Sequence, residues 1–476
     1  RMSSSAVLLP RGLLCSRLLC YRFPTALSGS KRCFSTGAEQ PAKRLTIATA
    51  SATEKHLNNV ELQGWVRRAH KTGGQVFLHI SDGLSLETAQ VVVSRGQSGS
   101  VRVGSAVRMG GEWRESQGSQ QKFELAAKRC DVLAQDQDSR FAFLDADGLR
   151  QKLHLRAKST PFASLLKLRS HLTMITHQFF QNRDFVHMDT PILTSNDCEG
   201  AGETFSIEKA KDFFGHQVFL TVSSQLHLEA MTTGIPLVYT LGRAFRAEKN
   251  QSSTHMSEFS MLEAEVGFCD SLDEMMTLAE DYLRHAIHAL QSEESRELKG
   301  SLSTLSSFSE SVAASIEKKI ILPRLTYEEA RRVAEASGVP LAGKGGLTRA
   351  AELAVVAHCQ SPVFVTHFPV DQKPFYMKRS SCGEVTESFD LLAPLVGELA
   401  GGSLRAGTAD DLERQAAEFR MPIGKALEWY SDLRRQGKPP SGGFGFGFER
   451  LLQVLLQVNN IKDTSAFPRW FRHCSS

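Results

Sequence analysis

Two short stretches carry residues suited to nucleotide chemistry. The first is Gly443-Phe444-Gly445-Phe446-Gly447-Phe448-Glu449-Arg450, which alternates glycine with phenylalanine and then runs into Leu451-Leu452-Gln453-Val454-Leu455. Alternate glycines leave one face of a strand bare, so a flat ring can lie against the backbone. An arginine at the junction of strand and helix can cover that ring with its guanidinium plane and also meet a phosphate. The second stretch is Phe245-Arg246-Ala247-Glu248, followed by the polar loop 249–255 and by Glu258-Phe259. Arg246 and Glu248 alternate, which predicts that both leave one face of a strand. Together they suit ATP, the arginine meeting the α-phosphate and the glutamate the adenine amino group. Each stretch has a plainer reading: a flexible or tightly packed glycine run for the first, a cross-strand ion pair on a solvated face for the second.

The elements that must hold these residues are legible around them. Leu237 to Leu241 predicts the strand leading to Arg246, and Glu258 onward the strand that leaves the loop. Leu165, Leu168, Leu172, Ile175 and Phe179 make one apolar helical face. A turn at Asn182-Arg183-Asp184, a strand over Phe185-Val186-His187-Met188 and Pro191 follow. Further strands are expected around 217–222 and at Val363-Phe364-Val365-Thr366. Helices are expected over 273–290, after a capping box at Thr326-Tyr327-Glu328-Glu329, and over 409–435 with a break near Pro422. Residues 59–135 read as about five short strands with frequent turns, the pattern of a small closed barrel, for which the oligonucleotide-binding (OB) type is the natural candidate although any small β barrel scans alike. Residues 35–58 read as a tether, 136–160 as a hinge or linker, 161–476 as one large domain, and the Ser/Glu-rich 291–318 as an insertion or connector within it.

Composition narrows the function classes. The chain has 476 residues, 41% hydrophobic and 23% charged, values of a globular protein with room for more than one core. No apolar run reaches the ~20 residues that span a membrane. The net charge of +4 is misleading, because residues 1–34 hold six basic residues and no acidic one. The remaining 50 basic and 52 acidic residues leave the body at −2, so contact with nucleic acid must use local patches. The leader, rich in Ser, Leu and Arg, reads as a mitochondrial transit peptide, and Arg32-Cys33-Phe34-Ser35 resembles a processing site. Arg11, Arg17 and Arg22 interrupt the apolar core that a secretory signal needs. The nine cysteines show no CxxC spacing, which argues against a zinc site or disulfide framework.

Phe245-Arg246-Ala247-Glu248, its loop and Glu258-Phe259 resemble motif 2 of the class II aminoacyl-tRNA synthetases. The Gly-Phe run ending at Arg450 resembles motif 3, and the helix and strand ending at Pro191 resemble motif 1, the dimerisation element. The resemblance spans about residues 59–476, and a barrel ahead of the catalytic domain is the arrangement of the subgroup that charges aspartate, asparagine or lysine. It implies an α+β fold: an N-terminal OB-type β barrel, then an antiparallel sheet flanked by helices. It implies ATP as substrate, Mg²⁺ as cofactor, tRNA as partner, a homodimer, and work in the mitochondrial matrix. By resemblance, Arg246 and Arg450 are catalytic, and Arg246, Glu248, His255, Phe259, Glu398 and Arg450 bind ATP. Asp390 and Glu398 hold Mg²⁺, whose preference is for hard oxygen ligands; without the nearby Gly-Gly-x-x-Arg they would read as ordinary loop acids. In the barrel, Phe77 resembles the aromatic that stacks on the anticodon and Gln90 a base-edge contact. Phe77 also fits a core position, and Arg67, Arg68 and Lys71 fit either a phosphate track or a solvated turn.

Within the subgroup, the residues point to asparagine. The loop 195–203, with Glu199, resembles the asparaginyl form of a mobile loop over the amino acid. In Ser223-Ser224-Gln225-Leu226-His227-Leu228, the resemblance makes Gln225 a substrate contact, and Leu228 stands where aspartyl enzymes carry a lysine for the substrate carboxylate. A buried carboxylate without its cation is costly, so a neutral carboxamide suits this site. Glu263 would accept substrate N–H groups and repel aspartate, and Arg405 would meet the side-chain carbonyl. The implied reaction is activation of asparagine to its adenylate and transfer to mitochondrial tRNA(Asn). Rival readings are an aspartyl enzyme, a tRNA-independent asparagine synthetase and a non-catalytic RNA-binding relative. Leu228 argues against the first, the barrel against the second, and the two motif arginines against the third. Two positions depart from the family pattern: Ala157 stands where a proline is usual, and Ser224 where a glycine is usual.

Overall fold

Period-two alternation builds both large sheets of this protein, and in each it decides which side chains are left for function. The computed structural model describes residues 42–96, 101–118, 121–137, 144–195, 204–292, 295, 312–419 and 427–475.

The N-terminal sheet contains β1 (Lys43–Arg44), β2 (Leu57–Thr72), β3 (Gln75–Ser81), β4 (Ala89–Ser94), β5 (Ala106–Glu115) and β6 (Phe123–Ala134). The strand order is β1-β2-β3-β4-β6-β5, and β5 pairs again with β2, so five strands close into a barrel. Val76, Leu78 and Ile80 fill it with Val60, Leu62, Val91 and Met109. Phe77 and His79 alternate with these and face outward, which decides the question the sequence left open for Phe77. The tether reading of 35–58 is corrected for residues 42–58. Ile47–Ser51 is a helix capped by the Thr46 side chain, and Ile47 and Ala50 are fully buried in the barrel core. The Ile47 amide donates to Asp82 Oδ2 at 2.7 Å. Five residues are too few to show helical periodicity, which is why the sequence reads as featureless there. The leader 1–34 lies outside the described residues.

The larger sheet has β7 (Val186–His187), β10 (Leu237–Phe245), β11 (Glu258–Gly267), β12 (Arg324–Thr326), β13 (Val363–Thr366), β14 (Ser388–Ala393), β15 (Gly397–Leu404) and β16 (Ser441–Gly447); β8 (Leu193–Thr194) and β9 (Phe219–Leu220) form a separate pair. Its order is β12-β13-β14-β15-β16-β11-β10-β7. The interior pairs are antiparallel as expected, but both edges, β12–β13 and β7–β10, are parallel. One face packs on the helices Thr160–Gln181 and Leu272–Leu290 through Leu262, Ala264, Phe389, Leu391, Phe444 and Phe446. At the β12–β14 end a second core, with Tyr327, Val355 and Val363, seats the helices Tyr327–Ala336 and Arg349–Cys359. The capping box at Thr326 and Glu329 forms.

Several boundaries move. The strand after Asp184 is two residues long. β10 stops at Phe245, so Arg246 and Glu248 lie just past it, although the Arg246 amide still donates to Ser257 O at 3.0 Å. The expected 409–435 helix is two helices, Ala409–Glu418 and Glu428–Arg435, with Pro422 outside the described residues. Most of 291–318 is also outside them, yet Val312, Ala313 and Ile316 are buried in the main core, so the end of that segment belongs to the domain. Five described cysteines are free, and no helix among the described residues is long and apolar enough to cross a membrane.

The hinge 136–160 is more structured than a linker. It holds a helix at Ala146–Arg150 and a 3-10 turn at Leu153–Lys158. Arg67 Nη1 donates to Lys158 O at 2.6 Å, which gives that arginine a structural task at the barrel. Arg150 and Arg156 both grip Asp463, at 2.5 and 2.8 Å. Arg156 also donates to the carbonyls of Lys462 and Ser465. Burial lowers the Arg156 guanidinium pKa to about 10 against the pull of Asp463. Asp463→Asn therefore leaves two guanidinium groups short of their shared charge. The expected loss is about 2 kcal/mol, below that of a fully buried pair because the Asp463 side chain keeps 21% exposure. It should appear as a lower urea midpoint at unchanged slope; an unchanged midpoint would show that the latch adds nothing.

Candidate active site

The sheet face opposite the helices is where the chemistry-bearing residues gather. Pairing registers put Glu263, Gly445, Gly401 and Asp390 in one row across β11, β16, β15 and β14. The neighbouring row is Glu265, Gly443, Ser403 and Ser388. Two glycines thus form a floor with a carboxylate at either side. The alternation that bares Gly443, Gly445 and Gly447 sends Phe444 and Phe446 into the core, where Phe446 meets Tyr282 edge-on with centroids 5.2 Å apart.

At the Gly447 end a cavity is lined by Arg246, Glu248, His255, Phe259, Glu398 and Arg450, together with Met261 and Gly445. All six residues assigned to ATP from the sequence therefore line one cavity. The Arg246 guanidinium lies 5.6 Å from the Phe259 ring centroid. Arg450 opens the final long helix and donates from Nη1 to the Glu398 carbonyl at 2.8 Å. His255 Nε2 lies 3.9 Å from Glu248. Burial, then repulsion from Arg450, lowers the His255 pKa despite Glu248. A polyphosphate would supply the missing negative charge.

Asp390 and Glu398 sit on β14 and β15, not in a loop. A bulge at Leu391/Leu392 lies opposite Glu398. A Cβ on Gly401 would be 3.2 Å from Asp390 Oδ1 and 3.5 Å from Glu398 Oε1, so the two carboxylates converge over the space that this glycine leaves. Lys373 Nζ holds both Asp390 oxygens at 2.6 and 2.7 Å. Burial, with repulsion from Glu398 added, pushes the Asp390 carboxyl up to about 6 although Lys373 opposes it. Glu352 Oε2 accepts the Glu398 amide at 3.1 Å, and burial followed by Glu398 pushes its carboxyl up to about 7. For Glu398, burial is outweighed by Arg450, Lys373 and Arg246, and its pKa falls. The two carboxylates that converge over Gly401 offer the hard oxygen atoms a small cation prefers. Among the described residues no group of three or more Asp, Glu, His or Cys could hold a metal ion.

Beyond the floor lie the residues assigned to the amino acid. Gln225 starts the helix Gln225–Met231, and its Nε2 is buried with no hydrogen-bond partner among the described residues, an orphan donor that a ligand would satisfy. Glu263 is 4% exposed and accepts the Ser224 amide at 2.9 Å and the Ser223 hydroxyl. Arg405, 3% exposed, is paired with Glu265 at 2.8 Å. Leu228 is buried on the helix that carries Gln225. Glu199 lies outside the described residues. On the barrel's outer face, Phe77 is stacked by His70, with centroids 4.9 Å apart and planes 4° from parallel. Gln90 donates to the buried Glu124 at 3.0 Å, which fixes its amide. Sequence reasoning missed Lys373, Glu352, His70 and Glu124. Glu265 was within reach, since it alternates with Glu263.

Comparisons with known proteins give the family and the fold. The family of tRNA synthetases class II (D, K and N) matches residues 147–471. The mouse asparaginyl-tRNA synthetase is 38% identical over 435 residues, covering 87% of this chain and 91% of its own. The mitochondrial asparagine–tRNA ligase of Schizosaccharomyces pombe is 36% identical over 448 residues, with 87% and 95% covered. The crystal structure of Pyrococcus horikoshii asparaginyl-tRNA synthetase complexed with asparaginyl-adenylate superposes with a TM-score of 0.82 at 26% identity, covering 91% of this chain and all of the other. This chain is a member of the class II tRNA synthetases of the D, K and N group.

Proposed function

We propose that the chain is an asparagine–tRNA ligase, which activates asparagine with ATP and transfers it to tRNA(Asn) in mitochondria. The observation that carries this is the bare glycine floor joining the Arg246–Arg450 cavity to the Glu263, Glu265 and Arg405 side of one sheet face. Adenine lies between Phe259 and Arg450, with Glu248 at its amino group. Arg246 meets the α-phosphate, and His255 and Arg450 hold the far phosphates. The asparagine carboxylate attacks the α-phosphorus, the adenylate anhydride forms, and the bond to pyrophosphate breaks. Positioning and fixed charge carry the step without an enzyme nucleophile. Asp390 and Glu398 would hold Mg²⁺, whose charge offsets that of the phosphates.

Asparagine is favoured over aspartate because Leu228 supplies no cation and Arg405 is already balanced by Glu265. The barrel is read as an OB-type anticodon-binding domain. Phe77 and His70 present a stacking face, and Gln90 offers a base-edge amide. A homodimer through the first long helix and the strand after it is supported by exposed Met174, Val186, Ile192 and Leu193. The mitochondrial site of action rests on the basic, acid-free leader and on the likeness to the fission yeast mitochondrial enzyme.

Amino-acid-dependent pyrophosphate exchange tests the core of this reading. Exchange is expected with asparagine and not aspartate; exchange with aspartate alone would overturn the specificity. Arg246→Ala should lower the asparagine rate by roughly a hundredfold or more, and near-normal exchange would remove Arg246 from the α-phosphate. Phe77→Ala should leave exchange unchanged and raise KM for tRNA about tenfold, the worth of one stacked base. An unchanged tRNA KM would take Phe77 out of the interface.

A further inference from the structure

Behind Arg405 lies a buried set of charges that the steps above leave unused. Lys438 is a lysine whose side chain is only 2% exposed. Its ammonium has three N–H groups, and the structure gives three partners: Ser441 Oγ at 2.8 Å, Pro439 O at 3.0 Å and Glu229 Oε1 at 3.2 Å. Glu229 is fully buried and is also held by Arg434 and the Tyr430 hydroxyl. On the other side, the Ser441 hydroxyl donates to Glu265 Oε1 at 2.8 Å. Glu265 takes Arg405 side-on, from Nη2 at 2.8 Å and from Nε at 3.2 Å, while Arg405 Nη1 donates to Ser403 Oγ at 2.6 Å. Three of the five guanidinium N–H groups are thereby committed. A Cβ on Gly443 would lie 2.0 Å from Glu265 Oε2 and 2.7 Å from Arg405 Nη2, so this end of the glycine floor opens onto the pair.

We propose that Lys438 is a positioning residue for amino-acid selection: through Ser441 it fixes Glu265, which holds Arg405 in a charge-balanced pose that serves a neutral carboxamide and refuses a carboxylate. The inference rests on the reading of Arg405 as the side-chain contact. The ammonium donates to Ser441 Oγ, so the hydroxyl must spend its single proton on Glu265. Glu265 is then anchored independently of Arg405 and does not swing away when substrate arrives. Arg405 keeps two N–H groups for a carbonyl oxygen, but its charge is already answered. A buried aspartate carboxylate would find no free counter-ion, and its desolvation would go uncompensated.

The test uses the full-length protein in pyrophosphate exchange, with asparagine, aspartate and ATP varied separately. Lys438→Met and Ser441→Ala should each raise KM for asparagine about tenfold, the worth of one hydrogen bond to a charged group. The KM for ATP should stay within about twofold of the wild type. Glu265→Gln leaves Arg405 without its balancing charge and should narrow the preference for asparagine over aspartate by about tenfold or more. Ser441→Ala removes a single oxygen and keeps every charge, so it reports even if Lys438→Met fails to fold. Equal rises in KM for ATP and asparagine, or an unchanged asparagine KM in Ser441→Ala, would overturn the proposal and leave Lys438 a packing residue. These outcomes are ratios to the wild type. A wild-type chain that does not respond to asparagine at all would instead sink the parent reading.

Discussion

The active face depends on how one strand is seated. Phe444 and Phe446 are driven into the core by burial of their rings, and that fixes β16 in register between β11 and β15. The same register turns Gly443, Gly445 and Gly447 to the other side. There a side chain is excluded by what already surrounds the strand: a Cβ at Gly445 would come within 2.9 Å of Met261, and one at Gly443 within 2.0 Å of Glu265. Bare floor and packed core are therefore two faces of one packing decision.

The end of β16 is tied to the first long helix as firmly as its middle is tied to the core. Glu449, next to Arg450, accepts the Ser260 amide at 2.8 Å and forms an ion pair with the Arg169 guanidinium at 2.8 Å. Arg169 belongs to the helix Thr160–Gln181 and also reaches the Ser260 hydroxyl and the Thr464 carbonyl. The helix that precedes the exposed apolar residues 186–193 is thus connected through a buried carboxylate to the arginine that lines the nucleotide cavity.

How much of this was legible in the sequence varied with the range of the forces involved. Arg246, Glu248, His255, Phe259 and Arg450 stand in motifs whose local spacing is itself the signal, and all of them line one cavity. The alternation that separates Phe444 from Gly445 was likewise a local pattern. Lys373, Glu352 and Lys438 gave no such signal. Each matters only because distant strands bring a carboxylate to it, and a lone lysine or glutamate in a loop or helix looks like any solvated charge. Ile47 and Ala50 were missed for a different reason: a five-residue helix shows no period, and only the barrel end it plugs makes it necessary. Arg246 and Glu248 were placed on a strand that ends one residue earlier, because hydrophobic alternation does not mark where pairing stops.

The latch between the hinge and Asp463 has a consequence for how the molecule is made. Arg150 and its carboxylate are 313 residues apart in the chain. A polypeptide that emerges from its N-terminus can close the barrel early, since those strands are neighbours in sequence, and domains fold in that order as they are synthesised. Arg150 and Arg156 cannot meet Asp463 until nearly the whole second sheet has followed. During that interval Arg156, which burial alone would disfavour, has no carboxylate to meet. Barrel and catalytic body are thus set in their final relation by one of the last contacts to become available.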